Sequence, residues 1–114
     1  MIMLVAVVCS TIFALADSTT CRVYGSANGN VATIDNPYVC SCKHGLDGTG
    51  VRVIVSLTKE ANEDTSVVVK LYSGNSVVAT RVVTIHKGNK YAATLIAEPD
   101  GECFEARIAD ATCQ

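Results

Sequence analysis

Cys40, Cys42 and His44 alternate in "PYVCSCKHG". In an extended strand, alternate side chains point to one face. Two sulfurs and an imidazole would then converge, a donor set suited to zinc or copper. Three features weigh against a metal. Thiols in an oxidising compartment pair with one another, Gly45 ends the strand, and no fourth ligand accompanies the three. The expectation is therefore no bound metal and no cofactor, with Cys40, Cys42 and His44 as the residues a metal would use.

The other chemistry-bearing groups are sparse. His44 and His86 are the only histidines. No G-x-S-x-G elbow is present, and no Ser or Cys is paired by motif with a base. "DGTG" at 47–50 reads as turn-forming sequence rather than a catalytic aspartate motif. His86 precedes Gly88-Asn89 and reads as a solvated strand-end histidine. Glu60, Glu63 and Asp64 cluster in "KEANEDT" without the ligand spacing of a calcium loop, which reads as a charged connection. Sugar stacking uses exposed tryptophan or several tyrosines. The chain has no tryptophan and four tyrosines, Tyr24, Tyr38, Tyr72 and Tyr91. With some of these expected in the core, the sequence lends a sugar site no support. The chain is expected not to be an enzyme.

Compartment follows from the first sixteen residues, "MIMLVAVVCSTIFALA", which carry no charge. They are too few to span a hydrocarbon core, which needs roughly 20 residues. Ala14 and Ala16 form the A-x-A pattern of a signal-peptidase site, so residues 1–16 read as a signal peptide cleaved before Asp17. The expected product is one secreted domain, residues 17–114. Its formal charge is −2 with Lys and Arg scattered singly, which argues against nucleic acid or anionic membrane as partner. No second apolar run would span a membrane, and no Asn-x-Ser/Thr sequon occurs.

Cys9 leaves with the leader, and Cys21, Cys40, Cys42, Cys103 and Cys113 remain. An odd number leaves one unpaired or bonded to another chain. Cys40 and Cys42 on one strand would lie about 6–7 Å apart and bond elsewhere. Cys103 and Cys113, at the ends of one extended stretch, would be about 30 Å apart. The expected pattern ties the Cys40/Cys42 strand to Cys21 on one side and to Cys103 or Cys113 on the other. Cys113 or Cys103 is then left over, giving a monomer or a disulfide-linked dimer.

Period-two alternation dominates the rest. Val51, Val53, Val55 and Leu57 share a face, as do Val67, Val69 and Leu71, then Tyr91, Ala93 and Leu95, then Phe104, Ala106 and Ile108. Such alternation marks half-buried antiparallel strands. Strands are expected at 20–26, 31–35, 38–44, 51–58, 66–72, 77–86, 91–97 and 103–109. Turn signals separate them at Asn28-Gly29, Asp47-Gly48, Gly74-Asn75, Gly88-Asn89 and Asp100-Gly101, the Gly-Asn pairs reading as two-residue hairpin corners. The stretch 77–86 alternates poorly, which predicts cover on both faces, or a bulge near Thr80-Arg81.

Seven or eight short strands predict an all-β, disulfide-stabilised antiparallel two-sheet sandwich, with a small β-barrel as the alternative. The rhythm of residues 51–110 resembles an immunoglobulin-like or fibronectin-type-III-like module, without the immunoglobulin tryptophan. Such a scaffold implies recognition of a protein or other extracellular macromolecule through its loops. Asp47 and Gly48, Glu60, Glu63 and Asp64, and Gly74 with Asn75 are the candidate binding positions. The rivals are an assembly component joined by the odd cysteine, an inhibitor or toxin with a protruding loop, and a small metal-binding protein.

Overall fold

A computed structural model describes residues 16–25 and 29–114. The expected leader, apart from Ala16, and Asn28 lie outside the described residues. Nine strands form two antiparallel sheets. They are β1 (Thr20–Arg22), β2 (Val31–Ile34), β3 (Tyr38–Cys40), β4 (Cys42–Lys43), β5 (Thr49–Leu57), β6 (Thr65–Ser73), β7 (Ser76–Ile85), β8 (Tyr91–Ala97) and β9 (Cys103–Ile108). One sheet runs β3-β9-β6-β7. In the other, β5 carries β2 and β4 at opposite ends of one edge and β8 along the other, while β1 pairs with β2. The sandwich is the observed architecture, and its two sheets do not close into a barrel.

The alternating residues build the core. Val51, Val53, Val55 and Leu57 of β5 face Val67, Val69 and Leu71 of β6 and Phe104, Ala106 and Ile108 of β9, all buried. Burying one such side chain contributes about 1.5–3 kcal/mol, so these three strands carry much of the stability. In β8 the phase is the reverse of a core reading based on Tyr91, Ala93 and Leu95. These three share the outer face, and Ile96 is buried.

The extra strand comes from a break in 38–44. Ser41 is buried, and its N–H donates to the Glu102 carbonyl at 2.7 Å while its hydroxyl donates to the Glu98 carbonyl at 2.9 Å. The chain therefore leaves one sheet at Cys40 and enters the other at Cys42. One expected hairpin corner, Gly88-Asn89, and the turn signal Asp100-Gly101 join sheets instead of closing hairpins. Gly88-Asn89 carries the chain from β7 to β8, held by Gly88 N–H on the Ala61 carbonyl and Ala61 N–H on the Asn89 carbonyl. Asp100-Gly101 does the same from β8 to β9. Gly74-Asn75 is a true hairpin corner, with Ser73 opposite Ser76 and Gly74 at φ +62°.

β7 is neither covered on both faces nor bulged at Thr80-Arg81. It is an edge strand, and Val77, Val78 and Val82 are exposed. The register skips between Leu71↔Ala79 and Tyr72↔Val77, so Val78 is the extra residue. An edge with solvent on several sides has no single buried phase, which is why 77–86 alternates poorly.

Candidate functional site

The outer face of the β3-β9-β6-β7 sheet brings together side chains that are distant in sequence. The register sets Cys40 opposite Cys103, and Tyr38 opposite Glu105, with Tyr72 on the far side of Glu105. One step along, Arg107 lies opposite Lys70. All occupy the phase opposite to the core residues of their strands, so the pleat points them outward.

These side chains form one connected network. Arg107 donates from Nε and Nη2 to Glu105 Oε1 at 2.9 and 2.6 Å, and its guanidinium sits 4.4 Å from the Tyr72 ring centroid. Tyr38 lies opposite the same Glu105 in the register. Tyr72 donates its hydroxyl to Asp17, which also accepts the Asp110 N–H at 2.8 Å and lies 3.6 Å from Lys70 Nζ. The Arg107 contacts hold Glu105 below the ordinary carboxyl value, against the opposing pull of partial burial, and Tyr38 adds to the lowering. Burial works to raise Asp17, but Tyr72, the Asp110 N–H and Lys70 together hold it lower. Glu105 raises the Tyr38 hydroxyl, and Asp17 raises that of Tyr72.

Beside this network is an open hollow of about 360 Å³, with Tyr38, Tyr72, Glu105, Gly74 and the Cys40–Cys103 pair among its lining. None of the four tyrosines serves the core, contrary to the sequence expectation. Tyr24, Tyr38 and Tyr91 are exposed and Tyr72 is half-buried. The core is aliphatic apart from Phe104.

The cysteines pair as Cys21–Cys113 and Cys40–Cys103, and Cys42 is free and exposed. The bond from the Cys40/Cys42 strand to Cys103 was one expected alternative. The other two expectations are corrected. Cys21 does not reach residues 38–44, because the chain turns at Ala109 into a short 3₁₀ segment (Asp110–Thr112) and runs back beside β1. There Gln114 N–H meets the Arg22 carbonyl at 2.7 Å, and Val23 bridges to Cys113. The unpaired residue is accordingly Cys42 rather than Cys103 or Cys113.

Cys40, Cys42 and His44 are not assembled as ligands, since Cys40 is bonded to Cys103 and Cys42 belongs to the other sheet. Cys42 Sγ is 3.7 Å from His44 Nε2, which is itself 3.1 Å from the Gly50 carbonyl oxygen. A carbonyl only accepts, so Nε2 carries the proton. A neutral His44 thus has no lone pair on that nitrogen with which to activate the thiol.

Of the candidate binding positions, only Gly74 joins the hollow. Asp47 and Gly48 lie in the β4–β5 loop, where Asp47 pairs with Arg52 at 3.1 Å and Leu46 is fully exposed. Asp64 accepts the Lys87 N–H at 2.9 Å and lies 3.5 Å from His86 Nδ1, and these contacts tie the Glu60–Asp64 connection to the end of β7. Tyr38, Glu105 and Arg107 are absent from the sequence-based candidates. Their outward phase on alternating strands is legible, but the strand order that gathers them is not. No protein-family model, curated protein or solved structure matches this chain.

Proposed function

We propose that this is a secreted, non-enzymatic binding protein that recognises another extracellular macromolecule. The contact surface is the outer face of the β3-β9-β6-β7 sheet. The observation that carries the reading is the exposed Tyr38 ring beside a hollow whose polar side chains are already tied to one another. Such a surface offers contact area at small ordering cost. Two disulfides and the uncharged stretch 1–16 support secretion. No helix among the described residues is long and apolar enough to cross a membrane. The immunoglobulin-like or fibronectin-type-III-like rhythm belongs to the same proposal, as a rigid sandwich that presents a recognition face.

The test is retention of the 17–114 chain on an array of purified extracellular proteins and polysaccharides. Retention that falls with Tyr38→Ala plus Glu105→Ala, and persists with Tyr24→Ala, supports the reading. Equal retention of both variants, or none by the wild type, removes it. A second reading, covalent joining of two chains, is favoured by the free and exposed thiol of Cys42. A doubled mass that is lost on reduction and lost with Cys42→Ser supports that reading.

A further inference from the structure

We propose that the hollow on the outer face of the β3-β9-β6-β7 sheet is a subsite for a neutral carbohydrate chain, with Tyr38 as its stacking platform. This rests on the binding reading above and names the ligand class for that same surface.

Charge decides first. The fixed charges of the network are Arg107 and Lys70 against Glu105 and Asp17, two positive and two negative, and each is already paired. A cationic ligand at Glu105 would meet the Arg107 already paired there, and an anionic one would meet Glu105 itself. A neutral ligand disturbs neither pair.

Shape and polarity decide next. Tyr38 is 76% exposed, so a ring face remains for stacking, whereas one face of Tyr72 is taken by Arg107. Beside that platform, Glu105 retains acceptor capacity beyond the bonds it makes. Arg107, which is outside the lining of the hollow but bonded to its Glu105, has spent two N–H groups of its five-donor fork there. A flat ligand with an apolar face and a rim of hydroxyls uses both at once, and a pyranose ring has that form. A purely apolar side chain would bury these polar groups without replacing their bonds to water, which costs free energy.

Preorganisation and extent complete the argument. Tyr72 and Glu105 at the hollow are each held by another side chain, so little of their rotamer freedom remains to be lost on binding. Three inter-strand spacings make the face about 14 Å across, wide enough for a short oligosaccharide rather than a single ring. Gly74 at the hollow has open space around it, where even a Cβ would meet nothing within 4 Å, which leaves room for that chain to pass.

The test is an amide NMR titration of the 17–114 chain with laminarihexaose, cellohexaose, xylohexaose and chitohexaose at millimolar concentration. At least one is expected to shift resonances centred on Tyr38, Tyr72, Gly74 and Glu105. Tyr38→Ala should weaken that binding at least about tenfold, Tyr38→Phe should retain most of it, and Tyr24→Ala should leave it unchanged. Shifts centred elsewhere, or none with all four sugars, overturn the carbohydrate assignment. If retention on the array still depends on Tyr38 in that event, the binding reading stands and its ligand is a protein. If Tyr38→Ala alters no binding of any kind, both fall.

Discussion

Cys40 and Cys42 lie on different sheets of the sandwich, separated only by the buried Ser41, whose backbone and hydroxyl are held by Glu102 and Glu98. One sulfur is therefore committed to Cys103, while the other faces solvent. Intact-mass measurement of the unreduced 17–114 chain after alkylation should find one modified thiol, at Cys42. Cys42→Ser should remove it and leave the unfolding free energy within about 0.5 kcal/mol of the wild type, as expected for an exposed position. Modification at Cys103 or Cys113 would contradict the observed pairing.

The Cys21–Cys113 bond closes 92 residues of separation and clamps the C-terminal tail against β1. Cys21→Ser with Cys113→Ser should cost about 2–5 kcal/mol in denaturant unfolding. An unchanged midpoint would show that backbone pairing alone holds the tail.

Asn30 is fully buried, and its amide ties the chain just before β2 to the chain just beyond β5. It donates to the Lys59 carbonyl at 3.1 Å and accepts from the Thr58 hydroxyl and the Lys59 N–H. Asn30→Ala strands those partners away from water, so a loss of about 2–3 kcal/mol is expected. A smaller loss than that of an exposed control such as Asn75→Ala would refute this role.

Gly50 lies where β8 leaves no room for a side chain on β5. A Cβ there would fall 2.3 Å from the Ile96 carbonyl oxygen. Gly50→Ala must push the two strands apart, with an expected cost of about 3 kcal/mol or more from lost pairing and packing. Wild-type stability in urea would show that the strands can separate without penalty.

Glu105 and Asp17 make stability pH-dependent. Both titrate below their ordinary values of 4.5 and 3.8 in the folded state. Their contribution is therefore complete above those values and is lost as pH falls through the lower folded ones. The urea midpoint should hold steady near neutrality and decline progressively in acid. Glu105→Gln should flatten part of that decline, and a midpoint insensitive to acid would count against the network.

Sequence alone carried the all-β class, the approximate place of most strands and the apolar side of β5, β6 and β9. Val51 to Leu57, Val67 to Leu71 and Phe104 to Ile108 announce their buried phase through alternation, since a pleated strand has a period of two. The five cysteines within residues 17–114 are likewise read from residue types alone. Tertiary structure decided what depends on neighbours. Gly88-Asn89 bends the chain as its residues require, but whether the next strand joins the same sheet depends on where that strand buries Ile96. Ser41 divides an apparently continuous strand because its bonds go to Glu98 and Glu102, more than fifty residues away. Tyr38, Tyr72, Glu105 and Arg107 become one surface only when β3, β9 and β6 are laid side by side. Local alternation specifies a face, whereas strand order is set by the lowest free energy of the whole packed core, and no short stretch of sequence contains it.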